Sequence, residues 1–216
     1  MLRSLLGLAL CLAGIGVARA TPDLSIYGNL PGFETAAMSP SGDRVALIGT
    51  IGPKRQLVVL GRDLKPIASA EIGADTKLRD LLWAGDQMVL LETSVTSSLG
   101  AGFTAAKAEL FSMMVVPLGG GKPWTVFEGD RLVRGGIHGF YGVNARAGKW
   151  YGYFGGITLD QGSSAAPYLA STKPALYEVD LQTRRARRSP RRAESDTGYR
   201  DWLVDPDGNA QHHARL

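Results

Sequence analysis

A turn-and-strand cassette recurs four times along this chain and constrains its fold more than any other feature. Its clearest copy is Ser39-Pro40-Ser41-Gly42-Asp43-Arg44-Val45-Ala46-Leu47. Pro40 presets φ, and Gly42 enters the left-handed region without steric cost, so the segment reads as a tight turn feeding a strand. Looser copies surround Gly85 (Trp83 to Leu90), Gly148 (Asn144 to Tyr151) and Gly208 (Asp205 to Ala210). The four glycines are spaced by 43, 63 and 60 residues.

Between the cassettes the apolar residues come in short runs that suit strands. In the first unit Val45–Ile48 and Gln56–Leu60 are followed by Ile67–Ile72, which folds back through Gly61-Arg62-Asp63-Leu64. The second unit offers Leu81–Trp83, Met88–Leu91, Leu110–Leu118 and, after three glycines, Trp124–Phe127. Met88–Leu91 is apolar on both faces, as an inner strand requires, and Leu110–Leu118 is a long strand with Leu110, Met114, Val116 and Leu118 on one face and Phe111, Met113 and Val115 on the other. The third unit offers Ile137–Val143, Trp150–Phe154 and Ala175–Leu181; a fourth begins at Trp202-Leu203-Val204. Ile26 to Pro31 reads as an extended lead-in. Twenty-eight glycines and eleven prolines in 216 residues suit many turns and short strands.

Four short strands every 40 to 60 residues predict an all-β fold, a partial β-propeller of about three to three and a half four-stranded blades. A β-sandwich also uses short strands and turns; the repeated order within each unit favours the propeller. Ser97–Lys107 and Thr158–Pro174 are insertions at equivalent places in units two and three, so they are expected on one face.

Residues 1–20 read as a secretory signal. Arg3 supplies the positive start, Leu5 to Val17 the apolar run, and Ala18-Arg19-Ala20 a small-x-small cleavage site before Thr21. The run is too short to span a bilayer. The expectation is therefore an exported, periplasmic or secreted, protein with an incomplete propeller domain at 21–216. The single cysteine, Cys11, lies inside the signal, leaving the remainder without a thiol. Net charge is +4, about +2 without Arg3 and Arg19, which does not mark a nucleic-acid binder.

No residue qualifies as catalytic, cofactor-binding or metal-binding, and no cofactor is expected. Gly162-Ser163-Ser164-Ala165-Ala166 only approaches a nucleophile elbow, and Pro167 and Pro174 leave no room for the helix that should follow Ser164. His212 and His213 are adjacent, so on a strand they point to opposite faces; His138 is isolated among glycines. Asp201, Asp205 and Asp207 offer oxygen ligands at spacings that suit Ca²⁺, but Asp-Pro-Asp-Gly is first a turn. Arg184, Arg185, Arg187, Arg188, Arg191 and Arg192 crowd one segment without aromatic residues to stack bases. A solvated outer strand and loop accounts for them.

Tyr27-Gly28-x-Leu30-Pro31, Glu34 and Ser39-Pro40-x-Gly42-x-Arg44-x-Ala46 together resemble the N-terminal propeller of exported prolyl-oligopeptidase-type (S9) serine peptidases. Leu57-Val58-Val59, Thr76-Lys77-Leu78-Arg79 and Leu176-Tyr177-x-Val179-Asp180-Leu181 add to the likeness, which covers about 21–216 in order. In that family the propeller gates a hydrolase domain that carries Ser, Asp and His. The resemblance stops in the fourth blade, so it implies a non-catalytic, substrate-gating segment of a serine peptidase. Its implied partners are a hydrolase domain or a peptide substrate, with no nucleic acid and no membrane after signal cleavage. The alternative is a free-standing periplasmic binding or scaffold protein that oligomerises through its open edge strands.

Overall fold

The computed structural model describes residues 32–99, 104–160, 168–169, 173–189 and 200–214. The chain divides into two units, Met1–Leu30 and Pro31–Leu216. The first unit, with the expected signal, lies outside the described residues, as does the rest of the lead-in to Pro31.

In the second unit every regular element among the described residues is a strand. The first sheet contains β1 (Phe33–Met38), β2 (Val45–Ile51), β3 (Lys54–Leu60) and β4 (Pro66–Glu71), in that order. The second contains β5 (Lys77–Ala84), β6 (Met88–Ser98), β7 (Lys107–Pro117) and β8 (Trp124–Thr125), again in chain order. The third contains β9 (Phe140–Arg146), β10 (Lys149–Gly156), β13 (Ala175–Asp180) and β14 (Ala186–Arg188). A two-residue ladder of β11 (Leu159–Asp160) and β12 (Tyr168–Leu169) is inserted between its middle strands. The hairpin β15 (Arg200–Val204) and β16 (Ala210–Ala214) begins a fourth unit. All pairings are antiparallel, giving the expected partial propeller of three four-stranded blades and half of a fourth.

The repeat glycines occupy equivalent first turns. Gly42, Gly85, Gly148 and Gly208 have φ of 79°, 60°, 74° and 83°, a region that costs an L-residue with a Cβ about 1–2 kcal/mol. Each turn also reaches the next repeat. The Ser41 amide donates to Asp86 Oδ1 at 2.9 Å, and the Arg44 guanidinium donates to the Asp86 carbonyl. A Cβ on Gly85 would lie 2.5 Å from Trp150 Nε1. Asn144 Nδ2 donates to the Pro206 carbonyl at 3.3 Å.

Strand alternation explains how the blades stack. In β6 and β7, Val89, Leu91 and Val116 face the first blade, packing with Ala46, Ile48, Leu57 and Val59. Their neighbours Leu90, Met113 and Val115 face the third blade, packing with Phe154, Tyr177, Val179 and Leu181. Both sides of the second blade are therefore core, as the two-faced pattern of Leu110–Leu118 predicts. A smaller cluster of Tyr153, Leu176, Trp202 and Ala210 joins the third blade to the fourth. Buried Arg55 adds a polar tie, with Nε and Nη2 each 2.6 Å from the Glu34 carboxylate and Nη1 donating to the Thr76 carbonyl ahead of the second blade.

Three of the boundaries that differ from expectation have a local cause. The Ser97–Lys107 insertion begins as strand: β6 runs on through Ser98, with Ser97 opposite Ala108 and Ser98 opposite Lys107. Thr93, Val95 and Thr96 are β-branched and extend readily when a partner strand runs alongside. β8 stops at Thr125 because Phe127 has φ 65° and turns the chain, with the Glu128 amide on the Thr125 carbonyl. β9 starts at Phe140, not Ile137, because Gly136 and Gly139 have φ of 91° and 111°; Ile137 makes only an isolated bridge to Phe111.

Candidate functional site

The turn after β8 and the β13–β14 hairpin enclose a groove of about 360 Å³ between the second and third blades. Trp124, Thr125, Phe127, Glu128, Gly129 and Asp130 form one wall, and Val179, Arg184 and Ala186 the other. This volume lies in the range of small-ligand sites. Phe127 and Val179 are buried and give the groove an apolar floor. Phe127 packs edge-to-face on Tyr177, with centroids 5.4 Å apart and planes at 71°. That anchor holds the preceding strand while the backbone turns at φ 65°.

Across the groove, Arg184 is also left-handed at φ 63°. The hairpin imposes this: the Arg184 amide donates to the Asp180 carbonyl at 2.8 Å, and Asp180 Oδ1 accepts from the Gln182 and Thr183 amides at 3.0 and 2.9 Å. The Arg184 side chain is thereby aimed back over Trp124, with Cζ 5.4 Å from the ring centroid. Asp130 Oδ1 accepts the Leu132 amide at 2.8 Å and caps its own turn. Among the described residues neither Glu128 nor Asp130 pairs with a cation.

Two other polar constellations have their bonding capacity filled. Glu109 accepts from Ser94 Oγ at 2.6 Å and pairs with both Arg79 and Lys77. The Ser94 hydroxyl above all, then the Arg79 guanidinium, hold its carboxyl down at about 2. Buried Ser94 also accepts from Arg79 Nε at 2.7 Å, so this network fastens β6 to β7. At the third blade, the Tyr153 hydroxyl donates toward Glu178 Oε2 (3.0 Å) or Asn144 Oδ1 (3.2 Å), and Arg146 pairs with Glu178 at 2.9 Å. A side chain on Gly208 would collide with Tyr153 and Asn144, so the fourth unit's turn closes over this network.

The residues weighed from sequence do not assemble into a site. Ser164, Arg191 and Arg192 lie outside the described residues, as do the side chains of His212 and His213, whose backbone is in β16. His138 is exposed, and its amide donates to the Gly155 carbonyl at 2.8 Å. Asp205 accepts from the Asn209 amide at 2.7 Å and from its Nδ2 at 3.1 Å, so it builds the turn. Arg185, Arg187 and Arg188 are exposed around the outer strand β14. Arg184 departs from that solvated reading because its guanidinium covers an indole. The groove residues Trp124, Glu128 and Asp130 escaped sequence reasoning. The available signal was Phe127-Glu128-Gly129-Asp130, where an apolar anchor precedes two acids flanking a glycine.

No family model matches the sequence, and no curated protein does. Among solved structures, the chain is similar to cobalt-substituted Synechocystis apocarotenoid oxygenase (ACO), at 10% identity and TM-score 0.40, over 86% of this chain and 50% of that one. A point mutant of the same Synechocystis oxygenase gives 12% identity and TM-score 0.41 over the same shares. An ACO/RPE65 chimera gives 11% and 0.39, again over 86% and 50%. The chain spans about half the length of these structures.

The serine-peptidase expectation is corrected. These matched structures are oxygenase chains, not prolyl oligopeptidases. The serine-peptidase parent, the substrate-gating role and the hydrolase-domain and peptide partners fall together. The alternative of a free-standing scaffold that self-associates through edge strands is supported no better. The physical reason lies in what the resembling residues do. Gly42 and Ser39 make a turn, with the Gly42 amide on the Ser39 carbonyl at 2.9 Å and the Arg44 amide on Ser39 Oγ at 3.1 Å. Ala46, Leu57, Val59, Leu176, Val179 and Leu181 are buried between blades. These residues build blades, and blade building is shared by proteins of unrelated chemistry.

Proposed function

We propose that the chain binds a small polar molecule in the groove between its second and third blades. The observation that carries this reading is the pairing of Phe127 and Arg184. These are non-glycine residues held left-handed on opposite walls of one groove, each at a backbone cost of about 1–3 kcal/mol. Four non-glycine residues have positive φ among the described residues, and two of them face each other here. A tight turn alone would be served by glycine, which the chain uses freely elsewhere. Trp124 supplies a flat ring, while Glu128, Asp130 and Arg184 supply both signs of charge.

The test is titration with a panel of small cations, anions and sugars while the indole N–H resonances are followed. The Trp124 signal is assigned by Trp124→Phe. Saturable shifts of that resonance are expected for at least one class, and their absence across the panel overturns the reading.

Export is proposed separately, supported by the apolar run Leu5 to Val17 and the Ala18-Arg19-Ala20 site. N-terminal sequencing of the protein recovered from outside the cytoplasm is expected to begin at Thr21. A chain that retains Met1 there overturns it.

A further inference from the structure

Resting on the groove as the binding site, we propose that its ligand is an organic cation, an alkyl guanidinium or alkyl ammonium, and that Arg184 is an internal competitor for the same place. The indole of Trp124 already holds a cation, with the guanidinium carbon 5.4 Å from its centroid, inside the range of cation–π attraction. That occupant is loosely held. Arg184 is exposed, and among the described residues its guanidinium makes one hydrogen bond, from Nη2 to the Lys122 carbonyl, at a long 3.4 Å.

The groove's acids remain available to a ligand. Asp130 uses Oδ1 to cap its turn, and Glu128 makes no side-chain bond among the described residues. Arg184 lines the groove with both acids yet forms an ion pair with neither. A ligand whose cation takes the indole face brings its charge beside unpaired carboxylates and lays its methylenes on Phe127, Val179 and Ala186. An anion would meet Arg184 but would share the groove with Glu128 and Asp130, and like charges there repel.

The experiment uses the full chain and follows the Trp124 indole N–H during titration with n-butylguanidinium, n-butylammonium, acetate and glucose. Saturable shifts are expected with the two cations. Arg184→Ala is expected to tighten their binding about two- to fivefold, because an exposed cation–π contact no longer has to be displaced. The double change Glu128→Gln and Asp130→Asn is expected to weaken it. Arg184 and Glu128 are exposed, Asp130 is half-buried, and an asparagine there keeps a side-chain oxygen to accept the Leu132 amide; an unchanged thermal midpoint confirms folding.

Shifts with acetate or glucose but not with the cations overturn the cation assignment and leave the groove as a site. Cation binding that weakens in Arg184→Ala overturns the competitor role. Silence with all four probes overturns the groove reading itself.

Discussion

The second and third blades meet over a large apolar cluster, whereas the third and fourth meet over a small one edged by a polar network. One strand, β10, serves both. Phe154 points from it into the first interface, among Leu90, Met113, Val115 and Val126, all fully buried. Phe127 and Phe140 surround its ring at 6.3 and 5.4 Å. Tyr153, one residue earlier, points the other way, toward Glu178, Asn144 and the turn at Gly208. Tyr141 packs edge-to-face on Trp202 there, with centroids 5.1 Å apart and planes at 82°. Apolar burial stabilises by area with no demand on geometry. The hydroxyl network demands alignment and returns little net energy for each bond. The first interface should therefore carry stability, and the second should set how the fourth unit is seated.

The largest separation between the two should come from Phe154→Ala, which leaves a cavity in the apolar interface and costs about 3–5 kcal/mol. Urea unfolding would report it; a loss no greater than that of a polar change at the third–fourth interface would break the comparison.

Alkaline pH should act next, through the tyrosines of the third–fourth interface. Burial pushes the Tyr153 and Tyr141 phenols up to about 12, assisted by the charge of Glu178 for the first and of Asp201 for the second. Both folded values lie above the unfolded value of about 10. Their stabilisation is thus complete below pH 10 and is lost as pH rises through 12. Amide exchange in β15 and β16 should quicken over that window before exchange in β6 does.

Gly85→Ala and Gly148→Ala should follow. Both residues are left-handed, so each substitution costs about 1–2 kcal/mol in the backbone. A Cβ on Gly85 also meets the Trp150 ring, while one on Gly148 meets open space. Gly85→Ala should be the more destabilising by thermal melt, and equal losses would show that the turn-to-blade contact carries nothing.

Tyr153→Phe should cost about 1 kcal/mol, since it removes one hydroxyl donor. The effect should appear as faster exchange in β15 and β16. Smallest of all, Lys54→Ala breaks an ion pair whose side chains are 55% and 62% exposed, and should fall within about 0.5 kcal/mol in the same unfolding assay.

What was legible in the sequence is what depends on neighbours along the chain. A turn closed by Gly42 or Gly208 is set by φ, and a strand such as Leu110–Leu118 shows its two faces by parity. The repeat of those units specifies blades, and the all-β partial propeller followed from them. Strand ends were less legible, because Ser97 and Ser98 extend only when Ala108 and Lys107 run opposite them. The same locality misled the family reading, since turn and strand residues report the blade and not its chemistry. The groove was decided by tertiary structure alone. Trp124 and Arg184 are 60 residues apart, on adjacent blades. Nothing local to either announces that a left-handed hairpin will lay a guanidinium on that ring, because blade stacking, not chain proximity, brings them together.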